Sequence, residues 1–392
     1  MIVVVGIGAD GMSGLGAGAR AELAGATLIY GAPRQLDLLD DTVGAQRRSW
    51  PSPLLPALEQ LDPGGDGDVH VVASGDPLLH GIGATLIRRF GADAVRVLPQ
   101  VSSVTLACAR MGWSVQDTEV ISLVTAPVHT AVRRGGRAVV LSRDGNSPVT
   151  LAALLADTGR GDSELAVLEQ LGGPGERRRV ASARDWADGA MGDIDDLNVV
   201  AVHYLPDDRR YQVLPDEAFA HDGQITKQGI RAVTLAALGP RPGERLWDVG
   251  SGSGSIAVEW CRSGAACTAV AFERSEQRRA RIAANVVAFG VNVEVRGPAP
   301  AGFDGAAEPS VIFVGGGITE PGLLDACFDR LPAGGRLVAN VVTAESEAAV
   351  IDRHSTLGGQ LRRFQHYRGE PIGGFTGFRP AYPVTQWAVV KP

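Results

Sequence analysis

Short runs of β-branched and aliphatic residues alternate along the whole chain with segments whose apolar positions recur every third or fourth residue. That alternation predicts strands interleaved with helices, and hence an α/β fold built on parallel sheets. In the first half the expected strands are Ile2–Val5, Thr27–Tyr30, Val69–Ala73, Val95–Leu98, Val120–Leu123, Ala138–Leu141, Leu165–Leu168 and Val199–Val202. In the second half they are Arg245–Val249, Ala269–Glu273, Val291–Val295, Val311–Val314, Arg336–Asn340 and Thr385–Val390. Between the halves, LPDDRRYQVLPDEAFAHDGQ is polar and carries prolines. Domains are therefore expected over 1–205 and 225–392, joined by a linker over 206–224.

Two helices in the second half are legible from periodicity. ITKQGIRAVTLAAL (225–238) presents Ile230, Val233, Thr234 and Ala237 on one face, with Thr226 placed to cap its start. EQRRARIAANVVAFG (276–290) presents Ile282, Val286 and Phe289 and ends at Gly290. Its arginines are expected to face solvent.

With 392 residues the chain is long for a single core, which agrees with two domains. A net charge of −7 argues against a nucleic-acid binder. Arginines still cluster at 133, 134 and 137, at 177–179, at 278, 279 and 281, and at 362 and 363. Each cluster reads as a solvated face, or as a local patch for an anionic substrate. The four cysteines form no CxxC pair, and neither they nor the seven histidines show a metal-site spacing, so no metal is expected. No apolar run reaches membrane-spanning length, and the first residues lack the marks of a signal peptide, so a cytoplasmic protein without a membrane partner is expected.

The chemistry concentrates in glycine turns. WDVGSGSGSIAVEW follows a predicted strand and opens a helix, placing bare backbone and a helix N-terminus at one point. Gly252-x-Gly254-x-x-Ala257 fits the dinucleotide fingerprint, and Glu273 at the end of the next strand fits a ribose contact in either a nicotinamide dinucleotide or S-adenosylmethionine. Three features favour the latter. Asp248 gives D-x-G-x-G-x-G, an acidic start compatible with a cationic sulfonium and unfavourable beside a pyrophosphate. A helix precedes the first strand. The fourth strand ends in Gly315-Gly316-Gly317, where many N- and O-methyltransferases place an acid or an Asn-Pro-Pro turn.

The first half has four turns of its own. VGIGADG holds Gly6, Gly8 and Gly11 but lacks an acid after the next strand, so it makes a poor dinucleotide site. ASGDPLLHG joins a permissive Gly75 to the rigid Asp76-Pro77. PQVSS offers Ser102 or Ser103 as a helix cap, and LSRDGNSP opens another helix. Four such loops at strand C-ends describe one crevice. The two halves do not read as copies of one repeat.

The ordered set GIGADG, ASGDPLLHG, PQVSS and LSRDGNSP…LEQLGGPGERR resembles the tetrapyrrole methylase family, most of all its branch acting on precorrins in cobalamin synthesis. ITKQGIR…DVGSGSGS…FERSEQRRARIAAN…GPAP…VGGGI is similar to the small decarboxylating precorrin methyltransferases, a Rossmann-like group. Both in this order resemble the fused family that joins the two. The resemblance implies one S-adenosylmethionine per half, methylation of a precorrin at C5 and C15, and loss of the C12 acetate carboxyl as carbon dioxide. It carries cofactor contacts over to Thr226, Gly250, Ser251, Gly252, Ser253, Gly254, Glu273 and Ala299, with Pro298 departing from a more usual acid. In the first half it carries over Gly8, Asp76, Leu78, Ser102 and Ser103, with Gln100 departing from a commoner glycine. It also implies a homo-oligomer.

Enamine-like meso carbons need placement against the methyl donor more than a strong base, which accords with the lack of any triad pattern. His80 beside the GDPLLHG turn, Gly316 and Lys227 are the catalytic candidates, and Lys227 and Arg177–Arg179 are candidates for substrate carboxylates. Gly315–Gly317 would let a flat macrocycle lie close while its acetate is desolvated. The competing readings are an NAD(P)-dependent dehydrogenase and a non-catalytic tetrapyrrole carrier.

Overall fold

A computed structural model describes residues 1–392 except 52–53, 59–60, 62–67, 134, 190, 207–212 and 265. The chain divides into two compact units, Met1–Asp207 and Asp208–Pro392.

The first unit holds two sheets. β1 (Ile2–Ile7), β2 (Leu28–Gly31), β3 (Gln46–Ser49), β4 (Val69–Ser74) and β5 (Val95–Leu98) pair in parallel in the order β3-β2-β4-β1-β5. Every residue of β1 is buried, as a central strand covered on both faces requires. β3 reads QRRS and is exposed throughout, so it has no apolar signature; it is a polar edge strand.

The second sheet comprises β6 (Glu119–Ser122), β7 (Arg137–Leu141), β8 (Glu164–Glu169), β9 (Arg177–Ser182) and β10 (Asn198–His203), ordered β6-β7-β10-β8-β9. Only β6 and β7 pair in parallel; β10 runs antiparallel to β7 and β8, and β8 to β9. The expectation of parallel sheets throughout is thereby corrected. The β8–β9 connection is too short for a parallel crossover and makes a hairpin instead. β9 is the arginine run. Arg177 and Arg179 both bind Glu169, at 2.5 and 3.0 Å, and Glu169 is itself buried. Burial pushes that carboxyl up, yet the two guanidiniums and the Asp195 amide hold it below its ordinary value. Arg177 and Arg179 are thus committed to Glu169, and the exposed Arg178 donates to the Arg110 carbonyl. Arg133 likewise pairs with Glu119 at 2.7 Å; Arg134 lies outside the described residues.

The second unit carries one seven-stranded sheet. Its strands are β11 (Arg245–Val249), β12 (Thr268–Phe272), β13 (Val293–Arg296), β14 (Val311–Val314), β15 (Arg336–Val341), β16 (Gln360–Phe364) and, after a separate hairpin of β17 (Tyr367–Ile372) and β18 (Phe375–Pro380), β19 (Val384–Val390). The order is β13-β12-β11-β14-β15-β19-β16, parallel through β15, with β19 antiparallel between β15 and β16. Trp247, Phe272 and Phe303 form an aromatic cluster against β11, with ring centroids 4.7–5.0 Å apart. Truncating such a ring to Ala typically costs about 3–5 kcal/mol.

The helix before β11 runs Gln228–Leu238 and its cap position is Lys227, not Thr226. Its buried face is Ile230, Arg231, Thr234, Leu235 and Leu238; Val233 and Ala237 are only half-buried. A buried arginine broke the apolar periodicity there. Residues 213–224, expected as linker, fold onto this unit: Leu214 and Phe219 are buried in its core, and the Leu214 amide donates to Glu259 at 2.7 Å. Helix Glu276–Phe289 ends at Gly290 in the left-handed region, as expected. Its Arg278 and Arg281 do not simply face solvent, since both bind Asp222, at 3.0 and 2.8 Å. Among the described residues, no helix is long and apolar enough to cross a membrane.

Candidate functional site

In the second unit a crevice of about 850 Å³ opens at the C-ends of β11, β12 and β14. Gly250 starts its floor with φ +71°, and a Cβ there would stand 2.6 Å from the Gly316 amide nitrogen. The turns after β11 and β14 therefore approach backbone to backbone, which only glycine permits. The Gly252 amide in the same turn donates to Glu273 Oε2 at 2.9 Å, while Ser275 N donates to Oε1 at 2.9 Å. Glu273 is buried at the tip of β12 and lines the crevice.

Thr226, Lys227, Gly250, Ser251, Gly252, Glu273, Ala299 and Gly316 all line this crevice, as do Pro298, Gly315 and Gly317. Lys227 Nζ lies 3.5 Å from Asp216. Asp248, Ser253 and Gly254 are not part of the lining. Asp248 is buried in β11, where its Oδ2 accepts from Ser251 Oγ at 2.7 Å and from the Ala257 amide at 3.2 Å. Its Oδ1 finds no partner among the described residues. Burial pushes this carboxyl up to about 6, against the two hydrogen bonds, with Glu273 adding to the rise. Asp248 thus braces the glycine turn through Ser251 and Ala257. The β17–β18 hairpin contributes Arg368 and Arg379 to the same crevice, and His366 and Tyr382 line it from either side of the hairpin. Sequence reasoning missed these, although Gly373-Gly374 between two short runs is a hairpin signal.

In the first unit a crevice of about 420 Å³ gathers the four expected loops. A Cβ on Gly6 would fall 2.0 Å from the Gly75 carbonyl oxygen, so the end of β1 and the second turn also meet through bare backbone. Gly75 N donates to Ile7 O at 2.9 Å, and Gln100 N to Gly75 O at 3.3 Å. Gln100 supplies its own bracing: its side-chain amide donates to Gly14 O at 2.6 Å. Gly8, Asp76, His80, Ser102 and Ser103 line the crevice, and Arg34, which sequence reasoning overlooked, joins them. Leu78 does not; its side chain is 48% exposed and its amide donates to Asp76 Oδ1 at 2.9 Å. Ser102 caps helix Ser103–Met111 by accepting from Thr105 N, which leaves Ser103 as the neighbouring hydroxyl. His80 sits at φ +52°, a left-handed conformation that non-glycine residues adopt at an energetic cost and that clusters at ligand sites. The fourth loop reaches the crevice through Ser142, since Asp144 turns inward to accept from the Asn146 and Ser147 amides.

A β13-β12-β11-β14-β15 sheet, with a glycine turn after its first strand in sequence and an acid after its second, defines a Rossmann-like nucleotide-cofactor domain. Residues 217–391 match the family model described as precorrin methyltransferase domain, and residues 1–187 match the one described as tetrapyrrole (corrin/porphyrin) methylases. A precorrin-6Y C(5,15)-methyltransferase [decarboxylating] of Mycobacterium tuberculosis is 68% identical over 391 residues, covering 100% of both chains. A protein of the same description from Sinorhizobium sp is 43% identical over 401 residues, covering 100% of this chain and 96% of its own. The crystal structure of the C-terminal domain of precorrin-6Y C5,15-methyltransferase from Rhodobacter capsulatus is 42% identical and covers 46% of this chain and 100% of its own, with a TM-score of 0.44. The chain belongs to the decarboxylating precorrin-6Y C5,15-methyltransferase family, and it is an S-adenosylmethionine-dependent methyltransferase.

Proposed function

We propose that the two units carry out successive C-methylations of one precorrin macrocycle, at C5 and C15, with decarboxylation of its C12 acetate, and that each unit holds one S-adenosylmethionine. The observation that carries this reading is the repeated construction of the crevices. In each, backbone at the C-ends of two strands meets through bare glycine, Gly250 against Gly316 and Gly6 against Gly75. The residues present fit the cofactor. Glu273 has a carboxylate fixed at the strand tip for ribose hydroxyls, and Gly250 and Gly252 keep side chains off the crevice floor. When bound, S-adenosylmethionine supplies an electrophilic methyl group.

The work left to the chain is placement and desolvation, which can lower a barrier by about 7–11 kcal/mol. In the second unit Thr226, Ala299 and Glu273 would hold the donor, and Gly315–Gly317 would leave room for a flat ring above the β14 turn. A Cβ on Gly316 would meet Gly250 at an ordinary contact distance of 3.7 Å, and Gly316 lines the crevice. In the first unit Asp76, Ser103 and the Gly8 turn would hold the donor, with His80 beside it. Calorimetry tests the reading: two moles of S-adenosylmethionine should bind per chain, and Glu273→Ala should weaken one of the two sites and leave the other unchanged. A nicotinamide dinucleotide bound in place of S-adenosylmethionine would overturn it.

A further inference from the structure

The β17–β18 hairpin breaks a rule of sheet design on the side that faces the larger crevice. Its register sets Arg368 directly opposite Arg379. Like charges in that relation repel and weaken a two-stranded ribbon. Residues opposite one another share a face, so the two guanidiniums project together with Glu370, and all three line the crevice. One acid does not balance the pair. Glu370 stands 3.5 Å from Arg379, with both side chains largely in water, while the Arg368 guanidinium makes no hydrogen bond or ion pair with any described residue. Tyr382, 85% exposed, lines the crevice just beyond the hairpin, and Phe375 at its tip is 83% exposed. A ribbon that gains nothing internally from paired arginines and bare aromatic rings is shaped for something outside itself.

We infer that this hairpin face is the recognition arm for the acidic rim of the macrocycle, with Arg368 and Arg379 each taking a peripheral carboxylate and Tyr382 meeting the ring. The inference rests on the precorrin reading above and names the residues that would choose among macrocycles. Arginine forks suit carboxylates because two N–H groups meet two oxygens. The division of charge agrees with it. The buried acid Glu273 lies at the strand ends, where a cationic donor would sit, whereas Arg368 and Arg379 line the crevice from the hairpin.

The test is direct binding of an octacarboxylated porphyrin and of its octamethyl ester to the full chain, followed by fluorescence, beside calorimetry with S-adenosylmethionine. The unaltered chain should prefer the free acid, and in R368Q/R379Q that preference should fall by roughly ten-fold or more, the scale of a lost charge-assisted hydrogen bond. Affinity for S-adenosylmethionine should stay within about two-fold. R368K/R379K, which keeps the charges without the forks, should recover part of the preference. Retention of the full preference by R368Q/R379Q overturns the role of the hairpin alone. Failure of the unaltered chain to bind either macrocycle while it binds S-adenosylmethionine overturns the precorrin reading and this inference with it.

Discussion

Arg231 Nη1 donates to Asp216 Oδ1 at 2.7 Å, and the guanidinium is completely buried. The same side chain donates to the carbonyls of Leu214 and Thr226, stacks over Phe219 at 4.9 Å, and lies 3.9 Å from Glu259. One cation thus ties the segment before the sheet to the helix beneath it and fixes the backbone of Thr226 at the crevice wall. Arg231→Met should destabilise the second unit by about 3–5 kcal/mol, because the buried Asp216 would lose its buried cation and the Leu214 and Thr226 carbonyls their donor. Chemical denaturation of the full chain measures this, and a loss under about 1 kcal/mol would contradict it.

Glu273 fastens the glycine turn to the tip of β12 by accepting from Gly252 and Ser275. Replacement by Gln keeps one acceptor, whereas Ala keeps none. S-adenosylmethionine affinity in that unit should therefore fall in the order wild type, Glu273→Gln, Glu273→Ala, with the last weaker by roughly ten-fold or more. Calorimetric titration decides the order; equal affinities for the two variants would remove the carboxylate from the cofactor site.

Gly250 and Gly316 face each other but should respond differently to a methyl group. At Gly250 an alanine would sit at φ +71° and press on the Gly316 backbone, so Gly250→Ala should lower thermal stability as well as turnover. Gly316→Ala meets only ordinary contacts and should leave stability unchanged. If a macrocycle lies on that turn, Gly316→Ala still raises its KM, and Gly316→Asp abolishes turnover while S-adenosylmethionine affinity stays within a few-fold. Unchanged kinetics in both Gly316 variants would empty that surface of substrate.

Asp248 gives the second unit a pH signature. Burial raises its carboxyl from 3.8 to about 6 in the folded chain. Its favourable contribution is therefore complete below the unfolded value and is lost as pH rises through about 6. Most other shifted carboxyls, such as Glu169 and Asp222, are displaced downward and act in the opposite sense. The comparison of wild type with Asp248→Asn isolates this one group. From pH 4 to 7 the stability of the variant relative to wild type should climb by up to about 3 kcal/mol. A flat difference across that range would mean that Asp248 titrates at its ordinary value.

Buried elements were the readable ones. β1 and β14 are continuous apolar runs, β11 departs from one only at Arg245 and Asp248, and the glycine turns after β1 and β11 sit where composition placed them. Where polar groups take over structural work, pattern reading fails. The QRRS edge strand and the arginine run of β9 carry no apolar period, because Arg177 and Arg179 are aimed at the buried Glu169. Arg231 occupies a core position that hydrophobic spacing assigns to an aliphatic residue. At the site, turn glycines were visible because bare backbone has only one residue type. Asp248 was visible as an acid, but its bonds to Ser251 and Ala257 required coordinates. Arg34, Arg368 and Arg379 depend on contacts between segments distant in sequence, which no local spacing encodes.

Strand β19 lies between β15 and β16, and Lys391 just after it donates to the carbonyls of Phe328, Asp329 and Leu331 at the end of a helix. During synthesis the first unit has all its strands as soon as residue 203 leaves the ribosome. The second must wait with two unzipped edges until residues 384–390 emerge. A nascent chain stalled before that point would present an incomplete sheet to chaperones and proteases, beside a neighbour already able to fold.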